Sequence, residues 1–177
     1  SDGVVFATPN YTFQVSGYLK VFLDRLGFIC HRPRFFGKSF TSIVVQGIYG
    51  GNKIVKYLDF VGSGLGFNTL KGCVVTSLEP MSEKAQRKFD RTIGKHADRF
   101  YARLGKPVYP VPSLMKLMMF RMSRTSMQRM LDEDYRDYTY YAEHGWFDSD
   151  YYYPTQLGPL KKLAGRLFDA VGAMMAG

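Results

Sequence analysis

The sequence predicts an α/β protein: a parallel sheet with helices on both faces, followed by a helical C-terminal region. Strand, loop and helix signals alternate three times within residues 1–105, the pattern of βαβ units. Past Gly105, Lys106 and Pro107 the β-branched runs stop and Met- and Tyr-rich helical patterns begin.

Val4, Val5, Phe6 and Ala7 form a short apolar run closed by Thr8, Pro9 and Asn10, a buried strand by composition. Leu19, Phe22, Leu23 and Leu26 then recur at helical spacing, with Ser16 as N-cap. Residues 40–45 are a second β-branched run, ending in a loop of Gln46, Gly47, Ile48, Tyr49, Gly50 and Gly51. Ile54, Tyr57, Leu58 and Val61 predict the next helix, with Gly62, Gly64 and Gly66 expected to break it. Residues 73–78 predict a third strand, and Ser82 and Glu83 open a polar helix to about Leu104 with a thin stripe of Phe89, Ile93, Ala97, Phe100 and Leu104.

In the second region, residues 113–131 carry Leu114, Leu117, Met118, Met122, Met130 and Leu131 with Lys116, Arg121, Arg124 and Arg129 interspersed. Residues 138–153 are dense in aromatics, and residues 157–175 form a last amphipathic helix bearing Lys161, Lys162 and Arg166. The expected division is 1–105 and 106–177, the second packing on the first as a helical extension. Its basic, Met-rich helices suit a partner or an anionic lipid surface, with packing inside the molecule or in a homo-oligomer the favoured reading.

The 177 residues carry a net charge of +9, which attracts anions such as phosphorylated cofactors. The basic residues form no nucleic-acid recognition module, so no nucleic-acid partner is expected. Cys30 and Cys73 build neither a disulfide framework nor a metal-ligand spacing, and a cytoplasmic location is expected. No stretch reaches the roughly 18–20 apolar residues of a membrane span, which leaves peripheral membrane contact open. His31, His96 and His144 lack metal or triad spacing and are expected at the surface or in packing. Gly62, Gly64 and Gly66 imitate a dinucleotide fingerprint, but Phe67 stands where glycine is required and a helix, not a strand, precedes them. No metal site and no catalytic acid, base or nucleophile is expected.

Ligands of an open parallel sheet bind at the carboxyl ends of its strands. The loop after the first strand offers Pro9 to fix the turn, Asn10 and Thr12 as hydrogen-bonding groups, and Tyr11 and Phe13 as flat surfaces, a combination suited to a planar heteroaromatic ring. That segment resembles the flavodoxin-like NADPH-dependent FMN reductases and related NAD(P)H-dependent oxidoreductases. The matching residues are Thr8, Pro9, Asn10 and Tyr11, then Ser16 and Gly17, then a helix reading Leu19, Lys20, Val21, Phe22, Leu23, Asp24, Arg25.

The resemblance implies a flavodoxin-like sheet whose third, fourth and fifth strands are those read here. It implies a chain truncated at its N-terminus, with the phosphate loop, and any iron-sulfur cysteines, upstream. It also implies FMN as cofactor, held by Thr8, Pro9, Asn10, Tyr11, Thr12 and Phe13 on one side and by Gln46, Gly47, Tyr49, Gly50 and Gly51 on the other. The implied activity is hydride transfer from NAD(P)H to FMN and on to a small-molecule electron acceptor such as a quinone or flavin. The alternative is a flavin-holding electron carrier or interaction module without NAD(P)H turnover.

Overall fold

Three apolar runs form one parallel sheet in the computed structural model, which describes residues 1–106 and 108–176. Pro107 and Gly177 lie outside the described residues. The chain divides into two compact units, Ser1–Val108 and Tyr109–Gly177.

In the first unit β1 (Gly3–Pro9) leads through α1 (Gly17–Arg25) and a short α2 (Gly27–His31) to β2 (Ser39–Gln46). Then come α3 (Gly51–Gly64), β3 (Asn68–Thr69), β4 (Cys73–Thr76) and α4 (Glu83–Leu104). β2 is central. β1 runs parallel on one side, Gly3 opposite Ser39 and Pro9 opposite Val45, while β3 and β4 pair in succession with the other side. Neither α2 nor β3 was marked by periodicity, each being too short to show one.

Alternation along β2 sends Phe40 and Val44 to one face and Thr41 and Ile43 to the other. Phe40, Val44, Ile54, Val55 and Leu58 share the main core with Val15 and Leu23 from the α1 side. On this face Phe6 stacks edge-on against Phe40, with ring centroids 5.0 Å apart. α4 covers the opposite face, where His96 meets Thr41. Caps follow the sequence: the hydroxyls of Ser16 and Ser82 accept the amides of Leu19 and Ala85.

Two expectations need correction. The helix expected to break at Gly62 continues to Gly64. Gly62 is there for close packing, since a Cβ would lie 2.5 Å from the Phe40 ring. The stop comes at Gly66, whose φ of +105° permits the paired bonds Gly66 N to Ser63 O and Phe67 N to Gly62 O, a Schellman ending. On the same helix Tyr57 points outward, and Val55 takes the buried place expected for it.

The second unit consists of α5 (Leu114–Met130), α6 (Arg136–Glu143), an aromatic loop, and α7 (Pro159–Met175) packed on α5. Its buried side chains include Leu117, Phe120, Tyr141, Trp146, Tyr151 and Leu157. Arg121 and Arg124, read in the sequence as cations interspersed along an apolar stripe, are buried. Asp169 of α7 takes both, 2.7 Å from each guanidinium, and Asp150 lies 3.0 Å from Arg121. Arg124 also donates to the Ser149 carbonyl at 2.6 Å. Burial pushes the Tyr141 and Tyr153 phenols up to about 12 and those of Tyr151 and Tyr152 higher, so this cluster stays neutral. Among the described residues no helix is long and apolar enough to cross a membrane.

Candidate functional site

Because β1 and β2 are parallel and in register to Pro9 and Val45, their carboxyl ends deliver two loops side by side. The first loop turns on itself: Tyr11 N donates to Gln14 O at 3.2 Å and Gln14 N to Tyr11 O at 3.0 Å. The two residues between, Thr12 and Phe13, have φ of +51° and +62°, an arrangement of the type I′ kind that glycine and asparagine normally occupy. Such conformations cost roughly 1–3 kcal/mol each and persist where the surroundings over-determine them. Here they hold the Phe13 ring outward against Tyr49, with centroids 5.3 Å apart.

The second loop is tied to the first through Asn10. Its backbone N–H donates to Val45 O at 2.7 Å, and its Nδ2 donates to Tyr49 O at 2.9 Å. Its Oδ1 is buried and meets no protein donor. Gln46 braces the same loop from below: Oε1 accepts the Gly51 N–H at 2.8 Å and Nε2 donates to Ile48 O at 3.1 Å. Gly50 sits at φ +98°, closed to ordinary L-residues, and a Cβ there would lie 2.6 Å from the Phe13 ring.

The eleven residues predicted for the site therefore divide by role. Tyr11 and Tyr49 are each 66% exposed and Phe13 is 48% exposed, an open aromatic rim at the sheet's carboxyl edge. Pro9, Asn10, Gly50 and Gly51 shape the floor between them, and Thr12 and Gly47 are exposed beside it. Gln46 is occupied in holding the loop. Thr8 is turned inward, 2% exposed, its hydroxyl accepting Ser16 N at 3.0 Å and donating to Pro9 O at 3.1 Å. It fixes the loop, and only its backbone is left to face a ligand.

The sequence reading did not single out Ile48, Thr76 or Leu78. Ile48 and Leu78 are exposed at this edge, Thr76 lies 3.5 Å from Gln46 Nε2, and Ser77 N donates to Gln46 O at 2.9 Å. The signal available was topological, since the third parallel strand must end at the same edge as the other two.

A planar ring suits the exposed surfaces of this edge, where Tyr11, Phe13 and Tyr49 offer faces for stacking with Thr12 and Gly47 exposed beside them. Charge favours an anionic ligand on this unit, which holds 16 Lys and Arg against 7 Asp and Glu, whereas residues 109–177 hold 8 of each. Among the described residues no cluster could hold a metal ion. The second unit has its own cavity of 760 Å³, lined in part by Tyr109, His144, Trp146 and Asp150, but Asp150 is already committed to Arg121.

Residues 1–79 match the family model described as NADPH-dependent FMN reductase. No curated protein matches the chain. Among solved structures, the Trp repressor binding protein from Bacillus subtilis is 25% identical, with 56% of this chain and 63% of that chain covered and a TM-score of 0.41. A flavodoxin, WrbA-like protein from Agrobacterium tumefaciens is 19% identical, with 56% and 68% covered and a TM-score of 0.37. This chain thus spans 63% of the length of the Bacillus protein. The residues that carry the resemblance, Thr8 to Arg25, lie within the segment 1–79 that the family model matches, so motif and family match fall on the same part of the chain.

Proposed function

We propose that the first unit is the flavin-facing part of an FMN-dependent oxidoreductase, using NAD(P)H as hydride donor and a quinone, a flavin or another small molecule as acceptor. The observation that carries this reading is the junction of the two loops, where Asn10 ties Tyr49 in place and Tyr11, Phe13 and Tyr49 stand exposed at the carboxyl edge of the sheet.

FMN, when bound, supplies the redox chemistry, accepting a hydride and releasing electrons to the acceptor. The protein's part is binding and orientation. Asn10 holds the two loops together through Tyr49 O, and Phe13 and Tyr49 present ring surface for stacking and exclude water from the covered side. Gly50 and Gly51 let Phe13 and Gln46 pack against the loop that carries Tyr49. Hydride transfer between two cofactors needs no protein acid, base or nucleophile.

Flavin titration of the 177-residue chain tests the site. The expected result is saturable, micromolar quenching of FMN fluorescence, weakened at least about tenfold by Asn10→Ala, which removes the bond that holds Tyr49 in place. Absence of binding, or binding indifferent to Asn10→Ala, contradicts the assignment. Steady-state NAD(P)H oxidation with FMN and a quinone then separates enzyme from carrier: flavin retained without turnover points to the electron-carrier reading.

A further inference from the structure

α7 has two faces of opposite kind. One packs on α5 so closely that a Cβ on Gly172 would lie 3.0 Å from the Met122 backbone, and a Cβ on Gly165 would lie 3.3 Å from the Arg121 guanidinium. The other face is apolar and uncovered. Leu160 is 83% exposed and Met174 82%, and Leu163, Leu167, Val171 and Met175 are exposed between and beside them. At about 100° per residue these six side chains fall within an arc of about 120°, along a helix of 17 residues. An unbroken apolar stripe of this kind is not normal solvent-facing surface.

The charges around the stripe say what covers it. Arg166 is exposed and has no carboxylate partner among the described residues, and Lys161 has none either, its ammonium reaching the Pro112 carbonyl at 2.6 Å. By helical position Lys161 and Arg166 flank the stripe on opposite sides. The one acidic residue of α7, Asp169, points away to Arg121 and Arg124. A second copy of α7 laid on the stripe would bring cationic rims together with no acid between them. A negatively charged bilayer surface complements both features, taking the apolar side chains into the acyl boundary while the long cationic side chains reach the headgroups.

We propose that α7 is an in-plane membrane-surface helix that docks this protein on anionic lipid bilayers through Leu160, Leu163, Leu167, Val171, Met174 and Met175, with the flanking Lys161 and Arg166 reaching the lipid headgroups. The proposal is independent of the flavin reading, since all of its residues lie in the second unit.

Vesicle co-sedimentation of the full chain decides it. Vesicles of phosphatidylcholine with about one third phosphatidylglycerol should bind the protein, and pure phosphatidylcholine vesicles should bind it far less. Lys161→Gln and Arg166→Gln should each weaken binding about fivefold, matching about 1 kcal/mol per cation near an anionic surface, and added salt should do the same. The pair Leu163→Glu and Leu167→Glu should weaken it at least about tenfold while leaving Trp146 fluorescence unchanged, because both positions are solvent-facing. Failure to bind anionic vesicles, or binding that survives Leu163→Glu and Leu167→Glu, overturns the proposal. So does a concentration-dependent dimer in light scattering that Leu163→Glu dissolves, which would assign the stripe to a second copy.

Discussion

The two units bury comparable elements with different chemistry. In Ser1–Val108 the core is aliphatic and aromatic, built where β2 meets α3, and the excess positive charge stays outside. In Tyr109–Gly177 charge is balanced overall and part of it is internal: Arg121 and Arg124 are buried between α5 and α7 and neutralised by Asp169 and Asp150. The first arrangement draws its stability from area removed from water and tolerates partial loss. The second depends on a few groups whose partners must all be present, because a buried charge without a partner costs far more than the pair contributes.

The most severe test of that contrast is Asp169→Ala, which leaves two buried guanidiniums without their shared carboxylate. A loss of about 3–5 kcal/mol is expected, read from urea unfolding followed by the single tryptophan, Trp146, which lies in the second unit. The triple replacement Arg121→Met, Arg124→Leu and Asp169→Leu should recover most of that loss, since removing the whole network removes its desolvation cost. If Asp169→Ala leaves the Trp146 transition in place, the network is not what holds this unit.

Next in size is Leu58→Ala, at a position with no exposed surface in the core against β2. A cavity there should cost about 2–5 kcal/mol, seen as lost amide protection across β2. The Trp146 transition should stay where it was. Equal movement of both probes would show one cooperative body, and the comparison between units would have to be given up.

The same contrast explains what was legible in the sequence. β1, β2, α1 and the caps at Ser16 and Ser82 follow from period-two and period-3.6 patterns that an apolar core imposes on its elements. The first and last helices of the second unit were legible too, whereas the short α6 showed only as aromatic density, and the interior was hidden because Arg121 and Arg124 carry the residue type expected of a solvated face. Only the fold reveals that Asp169, 45 and 48 positions away, arrives opposite them. In the candidate site, Asn10 and Phe13 meet Tyr49 because β1 and β2 end side by side, a juxtaposition the loop composition does not contain. The inward turn of Thr8 was not legible, because a small hydroxyl suits an exposed loop and an inward bond to the Ser16 amide equally well. Ile48 and Leu78 gave no signal, since isolated apolar residues in loops look like packing.

A smaller effect is expected from Gly50→Ala. The residue sits at φ +98° against the Phe13 ring, so alanine should cost about 1–3 kcal/mol locally. Its larger consequence is displacement of Phe13 and loss of the junction with Asn10, measured as FMN affinity reduced about tenfold or more with little change in the Trp146 transition. Unchanged flavin affinity would show that the two loops need not be held in register.

The smallest effect is a pH dependence confined to the first unit. His96 on α4 shares a 2.9 Å hydrogen bond between Nε2 and Thr41 Oγ1, while its Nδ1 is buried without a partner. Beside it lies an apolar cavity of 340 Å³ lined by Val5, Ile43, Ile93 and Phe100 among others. Burial first, and the neighbouring Arg99 second, hold this imidazole below its ordinary pKa of 6.5. Protonation would create a second N–H with no acceptor, so the folded protein binds the proton less readily than the unfolded chain does. The contribution to stability is therefore complete above pH 6.5 and is lost as pH falls from there through the lowered folded-state value. The slope is bounded by one proton, about 1.4 kcal/mol per pH unit. His96→Gln keeps a polar side chain beside Thr41 but cannot titrate, so its stability relative to the parent should rise as pH drops from 7 toward 5. A pH-independent difference between the two proteins would mean that His96 is not kept neutral by its surroundings, and that the face of the sheet under α4 is wetter than its apolar lining implies.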